Sequence, residues 1–263
     1  MREASLDDRK KYLLEIMDFL HDFCRKNNIQ YFIFAGTLLG AARHNGFIPW
    51  DDDIDVAMKR EDYDRFISLF SEQPNERFRL VDRKNTKGYY LPYAKLSHRA
   101  TQLFEYVRKP IDLGINIDLF PLDHLTTDKS KALKLYDRIE SLRLINSLLM
   151  TKSKSTGFLK AVARKMVRVI PQKAVLKRID RLSRQYNGIE SSFIGVISAM
   201  PKSEQIMEEE SFSETILLDF EGRQYFAPIG YEAVLTHNFG NWRELPPPEK
   251  RVPHHSNDAF VEE

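Results

Sequence analysis

The sequence predicts an α+β fold in which short strands and amphipathic helices share a core, with a run of basic helices as an insertion or second lobe. Two observations carry this. Segments with apolar residues three and four apart are interspersed with short apolar or alternating runs of strand length. Charge is also segregated: residues 152–184 hold eleven Lys and Arg against one acid, Asp180, a local +10, so the rest of the chain carries −8 of an overall +2. At 263 residues, 42% hydrophobic and 30% charged, the chain is long enough to bury a full core, which excludes fibrous and wholly disordered classes. The lone Cys24 permits neither an internal disulfide nor a cysteine-based zinc cluster. With no apolar leader and no apolar run of about 18 residues, the expected setting is cytoplasmic.

In chain order, Leu13, Ile16, Met17, Leu20 and Phe23 mark a helix over residues 6–26. Residues 29–35 read as a strand ending at Gly36-Thr37, and 38–44 as a helix closed by the Asn45-Gly46 turn. A strand over 54–58 and a helix over 61–71 follow. Short strands are expected at 78–81, 90–96 and 115–120, the last closed by Pro121. Helices are expected at 130–149, 157–170 and 172–186, then a strand at 193–198 and a hairpin over 216–227 turning at Glu221-Gly222. The tail from Pro246 is proline-rich, then polar. The expected division is a catalytic core over 1–126, a basic helical insertion over 127–188, and a segment over 189–263 that completes the catalytic domain.

The densest chemical signal is Trp50-Asp51-Asp52-Asp53-Ile54-Asp55-Val56. Its carboxylates repel by about 1 kcal/mol per close pair even in water, so a positive partner is expected. On a strand, Asp53 and Asp55 project together while Ile54 and Val56 enter the core. The alternation recurs in Asn116-Ile117-Asp118-Leu119-Phe120, and if the two strands are neighbours, three carboxylates converge. Oxygen ligands without His or Cys select Mg²⁺ or Mn²⁺, whose usual work is neutralising phosphate oxygens. A solvated acidic loop would have no reason to alternate Asp with Ile and Val. An EF-hand is excluded because its glycine and terminal glutamate are absent.

Gly36-Thr37-Leu38-Leu39-Gly40, between strand and helix, suits an anion: Gly36 permits close approach, Thr37 can cap, and first-turn N–H groups face a phosphate. Arg43 and Lys95 are candidate phosphate ligands. The paired His254 and His255 beyond Arg251 read as a polar tail or a metal pair.

The run Tyr31-Phe32-Ile33-Phe34-Ala35-Gly36-Thr37-Leu38-Leu39-Gly40 through Arg43, Trp50 and Asp53-Ile54-Asp55 resembles the signature of the LicD family of phosphocholine transferases, to which fukutin and fukutin-related protein are also similar. The resemblance extends through Tyr93-Ala94-Lys95-Leu96, Asn116 to Asp123, Phe239-Gly240-Asn241-Trp242, Leu245-Pro246-Pro247 and Arg251, and is loose over about 127–188. It implies a nucleotidyltransferase-type core with a mixed sheet and Asp53, Asp55 and Asp118 as metal ligands. It also implies transfer of a phosphoalcohol from a CDP-alcohol, CDP-choline foremost, to a hydroxyl of a cell-surface glycan such as lipopolysaccharide or teichoic acid, or of its lipid-linked precursor.

Gly36, Thr37, Arg43 and Lys95 would then hold the donor's diphosphate. Asp118 would accept the attacking hydroxyl's proton or, as a metal-bound and hence poor base, only orient it. A quaternary ammonium needs aromatic faces, for which Trp50 and Tyr93, with Tyr89 and Tyr90, are close in sequence to the motifs. In the basic stretch, Lys160, Arg164 and Arg168 form one row beside an apolar stripe. Such a helix either lies on an anionic membrane or packs on the core with solvated charges. No nucleic-acid-binding module accompanies it. The rival functions are a nucleotide-sugar glycosyltransferase using Asp-X-Asp, nucleotidyl transfer to a small molecule, and a non-catalytic membrane-associated scaffold.

Overall fold

In a computed structural model of the chain, the described residues are 1–73, 75–150, 168–200, 206–251 and 258–262. The expected helix over 157–170 falls almost wholly outside them, as do Lys160, Arg164, His254 and His255.

The strands are β1 (Arg2–Glu3), β2 (Phe32–Ile33), β3 (Asp55–Lys59), β4 (Phe78–Val81), β5 (Ala94–His98), β6 (Thr101–Glu105), β7 (Ile111–Asp112), β8 (Asn116–His124), β9 (Phe193–Gly195), β10 (Met207–Glu208), β11 (Thr215–Phe220), β12 (Arg223–Pro228) and β13 (Asp258–Val261). The α-helices among the described residues are α1 (Leu6–Lys26), α2 (Ala35–His44), α3 (Arg60–Glu72), α4 (Lys129–Met150), α5 (Gln172–Ser183) and α6 (Tyr231–Phe239).

The fold is α+β around a mixed, seven-stranded sheet. Its spine runs β10-β9-β8-β3-β2, with β5 also on β8 and β4 on β5. Among the described residues only β3 and β8 pair in parallel in this sheet; its other pairs are antiparallel. Alternation holds at the head of β8, where Ile117 and Leu119 are buried beside the partly exposed Asn116 and Asp118, but over Val56–Met58 and from Leu119 to Asp123 consecutive residues are buried, as in central strands covered on both faces.

Helix α1 starts where its sequence allows. Ser5 Oγ accepts the Asp8 N–H at 3.1 Å while Asp8 Oδ2 accepts the Ser5 N–H at 2.9 Å, a reciprocal cap. Its stripe of Leu13, Ile16, Met17, Leu20 and Phe23 lies in the core, together with Cys24, whose buried thiol is pushed well up in pKa by desolvation. A second apolar cluster joins Leu135, Tyr136 and Ile139 of α4 to Val175, Leu176 and Ile179 of α5.

Several expectations shift. The strand expected over 29–35 contracts to Phe32–Ile33 because α2 already begins at Ala35, which adopts φ 44°. Pro121 does not close its strand: β8 continues to His124. On one side β8 pairs with β5 only as far as Leu119 and with β9 only from Asp123, so the proline, which has no N–H, falls in the interval between them. The strand expected over 90–96 begins later, at Ala94. The tail is not merely polar, since β13 lies between β1 and β6 in a four-stranded sheet with β7.

The β11–β12 hairpin turns at Glu221-Gly222 as expected, with φ of 52° and 72°. Glu221 tolerates this backbone while its groups grip the Asn45-Gly46 turn: its N–H donates to the Asn45 carbonyl at 2.9 Å and its Oε1 accepts the Phe47 N–H at 3.0 Å. That turn also crosses α2 closely, and a Cβ on Gly40 would run into the Gly46 carbonyl oxygen. Gly40→Ala is therefore expected to cost about 1–3 kcal/mol of stability by overpacking, measured by urea denaturation; an unchanged midpoint would refute the tight crossing.

Candidate active site

The head of β3 is fixed by backbone hydrogen bonds from two neighbours. The Phe34 N–H donates to the Asp55 carbonyl at 2.9 Å, and the Asp118 N–H donates to the Ile54 carbonyl at 3.0 Å. Thr37 adds a third tie: its Oγ1 accepts the Asp55 N–H at 2.8 Å. The buried threonine hydroxyl thus clamps α2 to the aspartate strand, a positioning task that sequence reasoning did not foresee.

Asp55 and Asp118 stand directly opposite each other in the parallel β3–β8 register. Side chains at matched positions of neighbouring strands leave the same face of a sheet, so the two carboxylates converge. Asp53 precedes the strand, so strand alternation does not place it. It nevertheless lines the same cleft as Asp55, a hollow of ≈ 730 Å³. Asp52 turns elsewhere, its Oδ2 3.3 Å from Arg9.

Lys95 is the antiparallel partner of Asp118 on the other side of β8. Its Nζ lies 2.5 Å from Asp118 Oδ1, and the Tyr93 hydroxyl donates to Asp118 Oδ2 at 3.1 Å. Burial opposes the Lys95 charge, but Asp118, Glu105 and Asp55 outweigh it and the pKa is raised. Lys95 thus meets a carboxylate in this structure. Tyr93 is raised well above the usual phenol value by burial, then by Asp118.

Asp55 has the opposite problem. Desolvation first, then Asp53, Asp118 and Asp51, push its carboxyl well above the usual carboxylate range, while Lys95 pulls the other way. Among the described residues, no three His, Cys, Asp or Glu side chains are already gathered around one ion position; both Asp118 oxygens are engaged by Lys95 and Tyr93. The chemistry of the donor set still fits a hard divalent cation: oxygen ligands, mutually repelling and partly desolvated.

At the cleft's other wall, Gly36 lies in the first turn of α2. A Cβ there would come within 2.7 Å of Asp51 Oδ2, so glycine admits that carboxylate against the helix start. Arg43 also lines the cleft, with Nη1 donating to the carbonyls of Trp242 at 2.9 Å and Glu244 at 3.2 Å. Its pKa is lowered by burial and by Arg251. Trp50 is in the cleft wall, and the Arg251 guanidinium lies 5.9 Å from its ring centroid. The structure therefore gathers Gly36, Arg43, Trp50, Asp53 and Asp55 around one hollow, while Asp118, with Lys95 and Tyr93 bonded to it, meets that group through its register with Asp55 and does not itself line the hollow.

Sequence reasoning gave no role to Asn241, Trp242 or Lys250, which also line the cleft. Trp242 is buried and its indole Nε1 has no hydrogen-bond partner among the described residues. The available signal was the Phe239-to-Trp242 motif, quoted for its resemblance but not assigned a place.

A strand-to-helix turn opening on carboxylates from neighbouring strands of a mixed sheet is consistent with a nucleotidyltransferase-like fold. Comparison with known proteins agrees: residues 28–136 match the family model described as LicD/FKTN/FKRP, nucleotidyltransferase domain. It is 29% identical over 269 residues to the lipopolysaccharide cholinephosphotransferase LicD of Haemophilus influenzae, covering 99% of this chain and 100% of that protein. Over 34 residues it is 50% identical to the ribitol 5-phosphate transferase FKRP of Homo sapiens and of Mus musculus, covering 13% of this chain and 7% of each relative. Among the described residues, no helix is long and apolar enough to cross a membrane.

Proposed function

We propose that this chain is a phosphotransferase that moves a phosphoalcohol, phosphocholine foremost, from a CDP-alcohol to a hydroxyl of a cell-surface glycan or its lipid-linked precursor, releasing CMP. The observation that supports it most is the register pairing of Asp55 with Asp118 beside the α2 N-terminus, at a cleft large enough for a nucleotide diphosphate ester. The full-length likeness to a cholinephosphotransferase supports the same class.

Asp53, Asp55 and Asp118 are the residues that would hold Mg²⁺ or Mn²⁺, which when bound supplies charge neutralisation at the donor's phosphate oxygens. The chain's own residues align the reactants. Gly36 keeps the α2 start, whose N–H groups favour anionic oxygens, free of a side chain of its own. Arg43 adds a fixed cation in the same wall. Thr37 keeps Asp55 in place through its backbone, and Lys95 and Tyr93 keep Asp118 oriented. The acceptor oxygen bonds to the distal phosphorus as the bond from that phosphorus to the CMP oxygen breaks. CMP departs with the electron pair and the acceptor proton passes to solvent, with Asp118 orienting the hydroxyl. Alignment and electrostatics supply most of such catalysis.

The test is mass spectrometry of the products formed from a panel of CDP-alcohols with Mg²⁺ and a glycan acceptor. CMP and an acceptor heavier by a phosphoalcohol are expected, with activity lost in excess chelator and restored by Mg²⁺. Full activity in chelator, or an acceptor heavier by a nucleoside monophosphate, would reject this reading. Turnover of nucleotide sugars alone would point instead to glycosyl transfer.

A further inference from the structure

A second cavity of ≈ 540 Å³ is lined by the segment preceding β5, helix α4 and the residues after β9. It shares one residue with the site: the Tyr93 ring lines this cavity while its hydroxyl donates to Asp118. Any group held against that ring is one side chain away from the β8 carboxylate.

The lining has a definite chemistry. Tyr90 and Tyr106 join Tyr93, and all three phenols are tied to carboxylates, Tyr90 to Glu105 and Tyr106 to Asp258. Bound hydroxyls hold the rings in place, so flat aromatic faces are ready before a ligand arrives. From α4, Glu140 and Arg143 add opposite charges to the wall. Arg143 is braced by donating to the Met200 carbonyl at 2.6 Å. Ser198 also lines the cavity, and its hydroxyl is buried, at 1% residue exposure, with no hydrogen-bond partner among the described residues. A buried hydroxyl left unpaired costs free energy, so it calls for an occupant with a polar group.

Aromatic faces, balanced charges and an unsatisfied hydroxyl suit a neutral polyhydroxylated ligand. Rings take its C–H faces, and Glu140, Arg143 and Ser198 meet its hydroxyls. A quaternary ammonium would bring no hydrogen-bonding group to Ser198. We propose that this cavity is the saccharide acceptor subsite, which presents a sugar hydroxyl past Tyr93 toward Asp118. The assignment rests on the transferase reading for its purpose, but its geometry is independent of it.

Methyl β-glucoside and the methyl β-glycoside of N-acetylglucosamine serve as probes, read by saturation-transfer NMR on the full chain without donor. Saturation transfer to at least one glycoside is expected, with binding about tenfold weaker in Ser198→Ala and in Tyr106→Ala. Ser198→Ala deletes an unpaired buried hydroxyl, so its melting temperature should match or exceed the parent's. Weaker binding in a fold no less stable separates ligand contact from a structural role. No transfer to either glycoside, or equal binding by both variants and parent, overturns the proposal. So does displacement of the glycoside by tetramethylammonium at the same concentration range, which would assign the cavity to a cation. Because donor and turnover are absent, these outcomes stand whether or not the enzyme transfers a phosphoalcohol.

Discussion

Asp55→Asn and Asp118→Asn are expected to abolish activity alike and to move stability in opposite directions. Each removes a carboxylate from the proposed metal and phosphate site, so transfer should fall by about 10²–10³-fold or more. Stability divides them because their surroundings differ. Asp55 is desolvated among Asp51, Asp53 and Asp118, and neutralising it relieves about 1 kcal/mol for each close like-charged pair. A rise of about 2–4 °C in melting temperature per kcal/mol follows for a chain of this size. Asp118 instead partners Lys95, which is only 7% exposed. Asp118→Asn strands that ammonium, and breaking a buried pair typically costs about 3–5 kcal/mol, here reduced by the remaining field of Asp55 and Glu105. Thermal melts of both variants in chelator decide the matter. A common loss of stability would show that Asp55 is no more frustrated than its neighbour.

The second large effect lies away from the cleft. Arg60 at the start of α3 makes two bonds to Asp123 of β8, Nε to Oδ1 at 2.7 Å and Nη2 to Oδ2 at 2.6 Å, and Asn187 donates to the same Oδ1 at 2.6 Å. Asp123 is fully buried and Arg60 nearly so. Arg60→Ala leaves the carboxylate desolvated with only an amide beside it, so a loss of about 3–5 kcal/mol is expected by urea denaturation. The double variant Arg60→Met, Asp123→Leu should recover most of that loss, because the pair's own net contribution is small once neither charge has to be buried. If the double variant is as unstable as the single, the pair itself stabilises the junction of α3 with β8.

What could be read before the structure was mostly local. The reciprocal cap of Ser5 and Asp8 at α1 is just as local, although sequence reasoning marks that helix by its apolar spacing alone. The apolar spacing of α1 and the Asp-Ile-Asp and Asn-Ile-Asp alternations likewise declare which side of each element enters the core. The Glu221-Gly222 turn was legible for the same reason. Strand ends were less so: Pro121 resembles a stop until β5 and β9 are seen to leave an interval beside it. Arg2–Glu3 and Asp258–Val261 have no strong pattern of their own, and become strands only by pairing across nearly the whole length of the chain.

The candidate site divides along the same line. Asp53, Asp55, Asp118, Gly36 and Arg43 stood out because carboxylates and a glycine-bearing turn are visible as residue types in sequence. The task of Thr37, the Lys95–Asp118 pair, the Tyr93 hydrogen bond and the Arg251 guanidinium near Trp50 did not, since each joins residues 18 to 201 positions apart.

The sequence by itself determined the chemistry on offer: acidic side chains on alternating strands, a turn open to anions, and apolar faces whose period compels them inward. Only the tertiary structure decided which of those groups meet, placing Asp55 opposite Asp118, Lys95 against Asp118 and Tyr93 in the wall of a tyrosine-lined hollow. The physical reason is range. Periodicity and capping act within a few residues, whereas strand register and the balance of buried charge are settled jointly by segments that are far apart in the chain and close in space.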